Sequence, residues 1–261
     1  MSVAVIYLVW APYGVRPVEN FVQSYIQHPA GLPHDLVVVY SGFGNSDVRI
    51  SSFEHVLETI PHKVLYMAQS QIDLESYFAA AKCLDYEYFC FFNSRSRILA
   101  GNWLAFMYSH ARMPGVGIVG ATGSYESTFS VKPRPGRWLH FPRFPNPHIR
   151  TTAFMMSAAN IHRLRLPHSL SRPGALRLES GRSGITRQLL DSGLTALIIG
   201  KDGHGYDVRD WPSSKTFRQG EQENLLVADG RTDEYLAGGE RERKTWNRWS
   251  WGRRWKAQRR T

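Results

Sequence analysis

Cysteine is nearly absent: the 261 residues include two, Cys83 and Cys90. Their spacing is neither that of a zinc pair nor that of a CxxC redox motif, which excludes metal-stapled and disulfide-stapled scaffolds. Both read as small, buried, reduced side chains, and that reading places the chain in the cytoplasm. Long apolar runs are also missing. Val3–Trp10 is apolar but too short to cross a bilayer, and it lacks the basic flank and the small-residue cleavage site of a secretory signal. No internal repeat is visible.

What is present suits a globular enzyme. The chain is 43% hydrophobic and 13% aromatic, enough to bury one sizeable core and too much for wholesale disorder. Net charge is +10, and residues 240–261 hold nine Lys or Arg against two Glu, a balance of +7. On this reading residues 1–239 form the folded domain and residues 240–261 a basic, Trp-rich tail. Within the tail Trp246, Trp249, Trp251 and Trp255 interleave with Arg248, Arg253, Arg254 and Lys256. That mixture suits an anionic membrane surface or single-stranded nucleic acid, unless the Trp side chains pack on the domain. It would make the protein cytoplasmic with a peripheral membrane contact.

Along the first half, short apolar runs alternate with amphipathic segments. Strands are expected at Val3–Trp10 and at 35–40, 63–67, 86–92 and 116–119. Helices are expected where Val18, Phe21, Val22, Tyr25 and Ile26 share one face, over Asp73–Cys83, and over 101–112. This rhythm implies an α/β domain with a mainly parallel central sheet flanked by helices, Rossmann-like in outline. Later come a Pro-, Arg- and aromatic-rich loop at 130–150, a strand at 151–157, a helix from about Ser183 to Leu190, and a last strand at 194–199.

Ligands of parallel α/β sheets bind outside the carboxyl ends of the strands, so the turns there hold the candidates. After strand one stand Pro12 and Tyr13; after strand two, Ser41, Gly42 and Phe43. Either turn could wrap a nucleotide, with Tyr13 or Phe43 on the base, although Gly and Pro also suit tight turns for their own sake. Neither turn matches GxGxxG or the P-loop, which argues against a dinucleotide enzyme or an NTPase. Strand four ends in Asn93, Ser94 and Arg95, and Arg95 or Arg97 would offset phosphate charge there. Gly117, Gly120, Gly123 and Ser124 form a small-residue segment that would let a ligand approach the backbone. His148 and Arg150 stand just before a strand. Glu179 reads as a helix-entry carboxylate, either a general base or a partner of the helix dipole and of Arg187.

These residues resemble nucleotide-sugar glycosyltransferases of the GT-A type, close to the broad family 2, over most of residues 3–200. The stretch from Pro145 through Phe154, with Lys201-Asp202-Gly203 and Trp211, also resembles a bacterial or phage subgroup of glycosyltransferases. The resemblance implies transfer of a hexosyl or pentosyl group from a nucleotide sugar to an acceptor hydroxyl, with inversion. It puts the catalytic base on Glu179, the donor on Pro12, Tyr13, Ser41, Gly42, Phe43, Asn93, Ser94 and Arg95, and the acceptor on Gly123, Ser124, His148 and Arg150. Such enzymes carry an Asp-x-Asp motif after strand four for a divalent cation, Mn or Mg. Asn93-Ser94-Arg95 stands in that place here, so either arginines replace the metal or Asp202 and His204 hold it. The acceptor expected is a saccharide of a surface polysaccharide. The alternatives are a hydroxymethylated base of DNA, gripped through the tail, or a non-enzymatic nucleic-acid- or membrane-binding module.

Overall fold

The computed structural model describes residues 2–44, 50–67, 73–131, 133–167 and 169–252. In chain order the strands are β1 (Val3–Trp10), β2 (Asp35–Ser41), β3 (Lys63–Tyr66), β4 (Tyr88–Phe92), β5 (Arg97–Ile98), β6 (Val116–Gly120), β7 (Gly123–Ser124), β8 (His148–Ile149), β9 (Ala153–Ser157), β10 (Thr195–Ile199), β11 (Gly205–Tyr206) and β12 (Val227–Ala228). The helices are α1 (Arg16–Gln27), α2 (Ile50–Leu57), α3 (Asp73–Cys83), α4 (Trp103–Ala111), α5 (Thr128–Val131), α6 (Arg137–His140), α7 (Ala158–Arg163), α8 (Arg172–Ser180), α9 (Ile185–Asp191), α10 (Gly230–Ala237) and α11 (Glu240–Trp251).

Eight strands form one sheet in the order β11-β10-β6-β9-β4-β1-β2-β3. Pairing is parallel from β3 through β2 and β1 to β4, and again between β6 and β10. β9 runs antiparallel between β4 and β6, and β11 is an antiparallel edge. The residues of β1 are almost all apolar because both faces of the sheet are covered. Val3, Val5, Tyr7 and Val9 point into a core shared with Val18 and Phe21 of α1 and Trp103 of α4. Ala4, Ile6 and Leu8 point the other way, toward Tyr77 of α3, Ile185 of α9 and Trp251 of α11. With β2 on one side of β1 and β4 on the other, strand order reverses at β1. A crevice therefore opens beyond its carboxyl end.

Several expectations change. Cys90 is buried, and burial raises its thiol pKa, whereas Cys83 is exposed at the end of α3; both are free. Ile26 is exposed, because α1 turns it away from the sheet. The glycines of the 117–124 segment make room for neighbouring protein atoms. A Cβ on Gly120 would lie 2.4 Å from Ile149, and one on Gly123 would lie 2.9 Å from Ile198 and 3.1 Å from Trp211.

The largest change concerns Glu240–Trp251, which is a helix docked on the domain. Trp251 is buried and its indole N–H donates to the Phe217 carbonyl at 2.7 Å, while Tyr125 N–H donates to the Ser250 carbonyl at 2.9 Å. Arg253, Arg254, Trp255 and Lys256 lie outside the described residues. No helix among the described residues is long and apolar enough to cross a membrane.

Candidate active site

The crevice begins where β4 ends. Asn93 folds its side chain back, its Oδ1 accepting from Arg95 N–H at 2.9 Å and from the Ser96 hydroxyl at 3.1 Å. Asn93 N–H donates to the Thr152 carbonyl at 3.0 Å, and the Ser96 hydroxyl, also 3.0 Å from that carbonyl, shares its one proton between it and Asn93, which ties this turn to the start of β9. Tyr7 pins it from below by donating to the Ser94 carbonyl at 3.1 Å. The turn throws Arg95 outward, and its guanidinium lies 4.2 Å from the centre of the Tyr13 ring. Tyr13, 41% exposed, ends the short helix Ala11–Tyr13 that follows β1.

Arg150 forms the floor. Its Nη2 meets Asp229 Oδ2 at 3.1 Å, and the guanidinium stacks 4.1 Å from the Phe217 ring centre. Asp229 is also the N-cap of α10 and accepts from Arg231 N–H, Thr232 N–H and the Thr152 hydroxyl. Burial alone would favour its neutral form; the Arg150 charge and the hydrogen bonds from Thr152 and Thr232 hold the carboxyl below the usual range. Asp229 therefore leaves half of the Arg150 fork unused. Nη1 of Arg150 and the hydroxyl of Ser94 are both buried with no protein partner. Orphaned donors of this kind are costly unless something else meets them. With Arg95 and Arg231 beside them, they describe an anion-binding wall.

Two chambers with a shared wall result. The first, about 520 Å³, has Tyr13, Ser94, Arg95, Arg150 and the start of α10 on its walls. The second, about 360 Å³, is lined by Ser124, His148, Arg218, Trp246 and Trp249. Arg150, Glu179, Arg231 and Glu234 belong to both. The β7–β8 ribbon pairs Ser124 with His148 and Gly123 with Ile149, which gathers the expected acceptor residues into one place. Only Gly123 among them turns into the core. His148 Nδ1 lies 2.9 Å from the Asn146 carbonyl. A carbonyl only accepts, so Nδ1 carries the proton and Nε2 keeps its lone pair. Burial lowers the His148 pKa against the opposing pull of Glu179 and the Asn146 hydrogen bond, so the ring is neutral near pH 7.

Glu179 sits in the last turn of α8 and not at a helix entry. Its Oε1 accepts from both the N–H and the hydroxyl of Thr151, each at 3.0 Å. Arg187 pairs with Asp191 at 3.9 Å and not with Glu179. Asp73, at the start of α3, lines the first chamber as well. Burial pushes its carboxyl pKa up, with a further push from the Glu179 charge.

Other expected donor residues lie elsewhere. Ser41, Gly42 and Phe43 line neither chamber. Gly42 (φ 79°) packs on Trp10, and Phe43 packs edge-on against Tyr40 and Phe53. Asp202 accepts from His204 N–H, the Tyr206 hydroxyl and Asn224, bonds that close the β10–β11 turn; neither Asp202 nor His204 reaches the chambers. Among the described residues no group of three or more His, Cys, Asp or Glu could hold a metal ion. The place of a paired-acid site, after β4, offers an amide, a hydroxyl and a guanidinium. That donor set does not fit a divalent cation. Asp73, Asp229, Arg231 and Glu234 escaped the sequence reading. A signal for Asp229 existed, since Asp229 and Thr232 ahead of a helix spell a capping pattern.

No protein-family model matches the chain, and no curated protein matches it in sequence. Solved structures do. The fold is similar to that of the mannosyltransferase PcManGT from Pyrobaculum calidifontis, solved in complex with GDP-Man and Mn2+, with TM-score 0.51 and 13% identity over 75% of this chain and 54% of that one. A second similar structure is S. aureus TarS 1-349, with TM-score 0.45 and 12% identity over 73% of this chain and 56% of that one. The chain thus spans about half the length of each. At this identity the likeness is one of fold: a GT-A-like α/β architecture with a mostly parallel central sheet.

Proposed function

We infer that this protein transfers a sugar from a nucleotide-sugar donor to an acceptor hydroxyl. The observation that carries the reading is the buried, unpartnered Nη1 of Arg150 at the sheet's switch point, grouped with Ser94, Arg95 and Arg231 in a chamber that Asp73, Glu179, Asp229 and Glu234 also line. In this reading the donor diphosphate lies in the first chamber against Arg150, Arg95, Ser94 and the start of α10, with the nucleoside toward Tyr13. The acceptor lies in the second chamber, its ring faces against Trp246 and Trp249. Glu179, common to both, takes the proton as the acceptor oxygen attacks the anomeric carbon. The bond from that carbon to the diphosphate breaks, the diphosphate leaves with the electron pair, and configuration inverts. The Glu126 carboxylate pairs with Arg218 at 3.0 Å, which fixes the wall of the acceptor chamber. The resemblance of fold to a GDP-Man-bound mannosyltransferase supports the same class of donor without naming its base or sugar.

Calorimetric titration with GDP, UDP, CDP and dTDP in the presence of a chelator tests this. At least one should bind at micromolar to millimolar concentration, and Arg150→Met should abolish the binding. No binding of any of the four, with or without manganese, would remove the sugar-transfer reading. Binding that requires manganese would return the diphosphate to a metal and take it away from the arginines.

A further inference from the structure

Positive charge in this chain is segregated in a way its total conceals. Residues 127–178 contain nine Lys or Arg and not one Asp or Glu. Residues 1–126 and 179–239 each have ten Asp or Glu against seven Lys or Arg, an excess of six acids between them. The acid-free stretch builds α5, α6 and α8 up to Leu178, and here large apolar side chains face solvent. Trp138 is 57% exposed, Leu139 55% and Leu176 40%. Between α6 and α8 lies a groove of about 530 Å³ walled by Leu139, Phe141 and Leu176, with Arg137, Arg172 and Arg177 around it. Arg182 holds the exposed turn in place, its Nε donating to the Trp138 carbonyl at 3.1 Å and its N–H to the His140 carbonyl at 2.8 Å. Among the described residues Arg172, Arg177 and Arg182 have no carboxylate partner.

We propose that this α6–α8 face docks on an anionic phospholipid surface, with Trp138 and Leu139 entering the headgroup region and Arg172 and Arg177 meeting lipid phosphates. Aromatic and aliphatic side chains ringed by arginines match an interface that is apolar within and anionic without. A folded protein partner would have to bring dense acid to a patch with an indole at its summit; a bilayer supplies both at once. Thr128 and Leu176 line this groove and the second chamber alike. Docking therefore brings the mouth of that chamber to the membrane, within reach of acceptors displayed there. The inference does not depend on sugar transfer, because the test below reads no turnover.

The full chain is sedimented with vesicles of phosphatidylcholine alone and of equal parts phosphatidylcholine and phosphatidylglycerol. Binding to the mixed vesicles only is expected, weakening as salt rises. Trp138→Ser with Leu139→Ser, and separately Arg172→Glu with Arg177→Glu, should each lower the partition coefficient by roughly tenfold or more while thermal unfolding stays unchanged. Sedimentation with neither vesicle overturns the proposal. So does binding that both double variants leave intact, which would place the contact elsewhere on the chain. A duplex DNA that binds where vesicles do not, and that the same arginine variants release, would overturn it in favour of nucleic acid.

Discussion

Glu179 occupies the last turn of α8, where the partial negative charge of the helix end disfavours a carboxylate. Two hydrogen bonds from Thr151 offset that cost and fix Oε1; in the proposed reading Oε2 is the oxygen that takes the proton. A hydroxyl nucleophile is weak until a base takes its proton, and that help is worth roughly 10²–10⁴ in rate. Glu179→Gln keeps the shape but accepts no proton. Single-turnover measurements should show a loss of about that size, with diphosphate affinity and melting temperature nearly unchanged. Near-normal turnover would transfer the role to Asp73, whose raised pKa also suits proton transfer. Thr151→Val, which removes one of the two donors, belongs to positioning and should lower turnover less.

At the scale of elements, legibility followed burial. The strands Val3–Trp10 and 116–120 and the helix Asp73–Cys83 announced themselves through continuous or periodic apolar residues. Strand direction did not: nothing in Ala153–Ser157 distinguishes an antiparallel β9 from a parallel one, since direction is set by the path of the chain. α8 was not expected; Pro173 and Gly174 obscure its periodicity, although Ser171 caps the helix and Pro stands in its first turn. α10 and α11 were hidden by charge. In Glu240–Trp251 two faces differ: Trp251 and Ser250 are buried while Arg241, Glu242, Lys244 and Arg248 are exposed. A count of charges reads this as a solvated tail, and packing reads it as an amphipathic helix. The two readings make opposite predictions. Trp251→Ala should destabilise the fold by about 3–5 kcal/mol, the usual cost of emptying a buried Trp site, measurable as a drop in the urea midpoint. Ending the chain at Gly239 should be worse, because it also uncovers Phe217 and strips Trp246 and Trp249 from the second chamber.

Over the whole molecule, the site combines a carboxylate that stabilises with one that destabilises, and pH separates them. Asp229 joins the β8–β9 segment to α10 through Arg150 and Thr152. Its folded pKa lies below the unfolded value of about 3.9, so its contribution is complete above that pH and is lost as pH falls through the folded pKa. Asp73 is the reverse case. Its folded pKa lies above the unfolded one, so it favours the folded state only in acid and costs stability once both states are ionised. Melting temperature against pH should therefore move in opposite directions for the two amides. Asp229→Asn should lose about 3 kcal/mol near pH 7, since it leaves the Arg150 charge buried without compensation, and the deficit should shrink below about pH 4. Asp73→Asn should gain stability near pH 7, and the gain should also vanish in acid. If Asp73 serves the chemistry, the more stable variant will be the poorer enzyme, the pattern expected where a binding cleft keeps a charge that the fold would be better without. Equal melting curves for Asp73→Asn and the parent at every pH would show that the charge costs nothing.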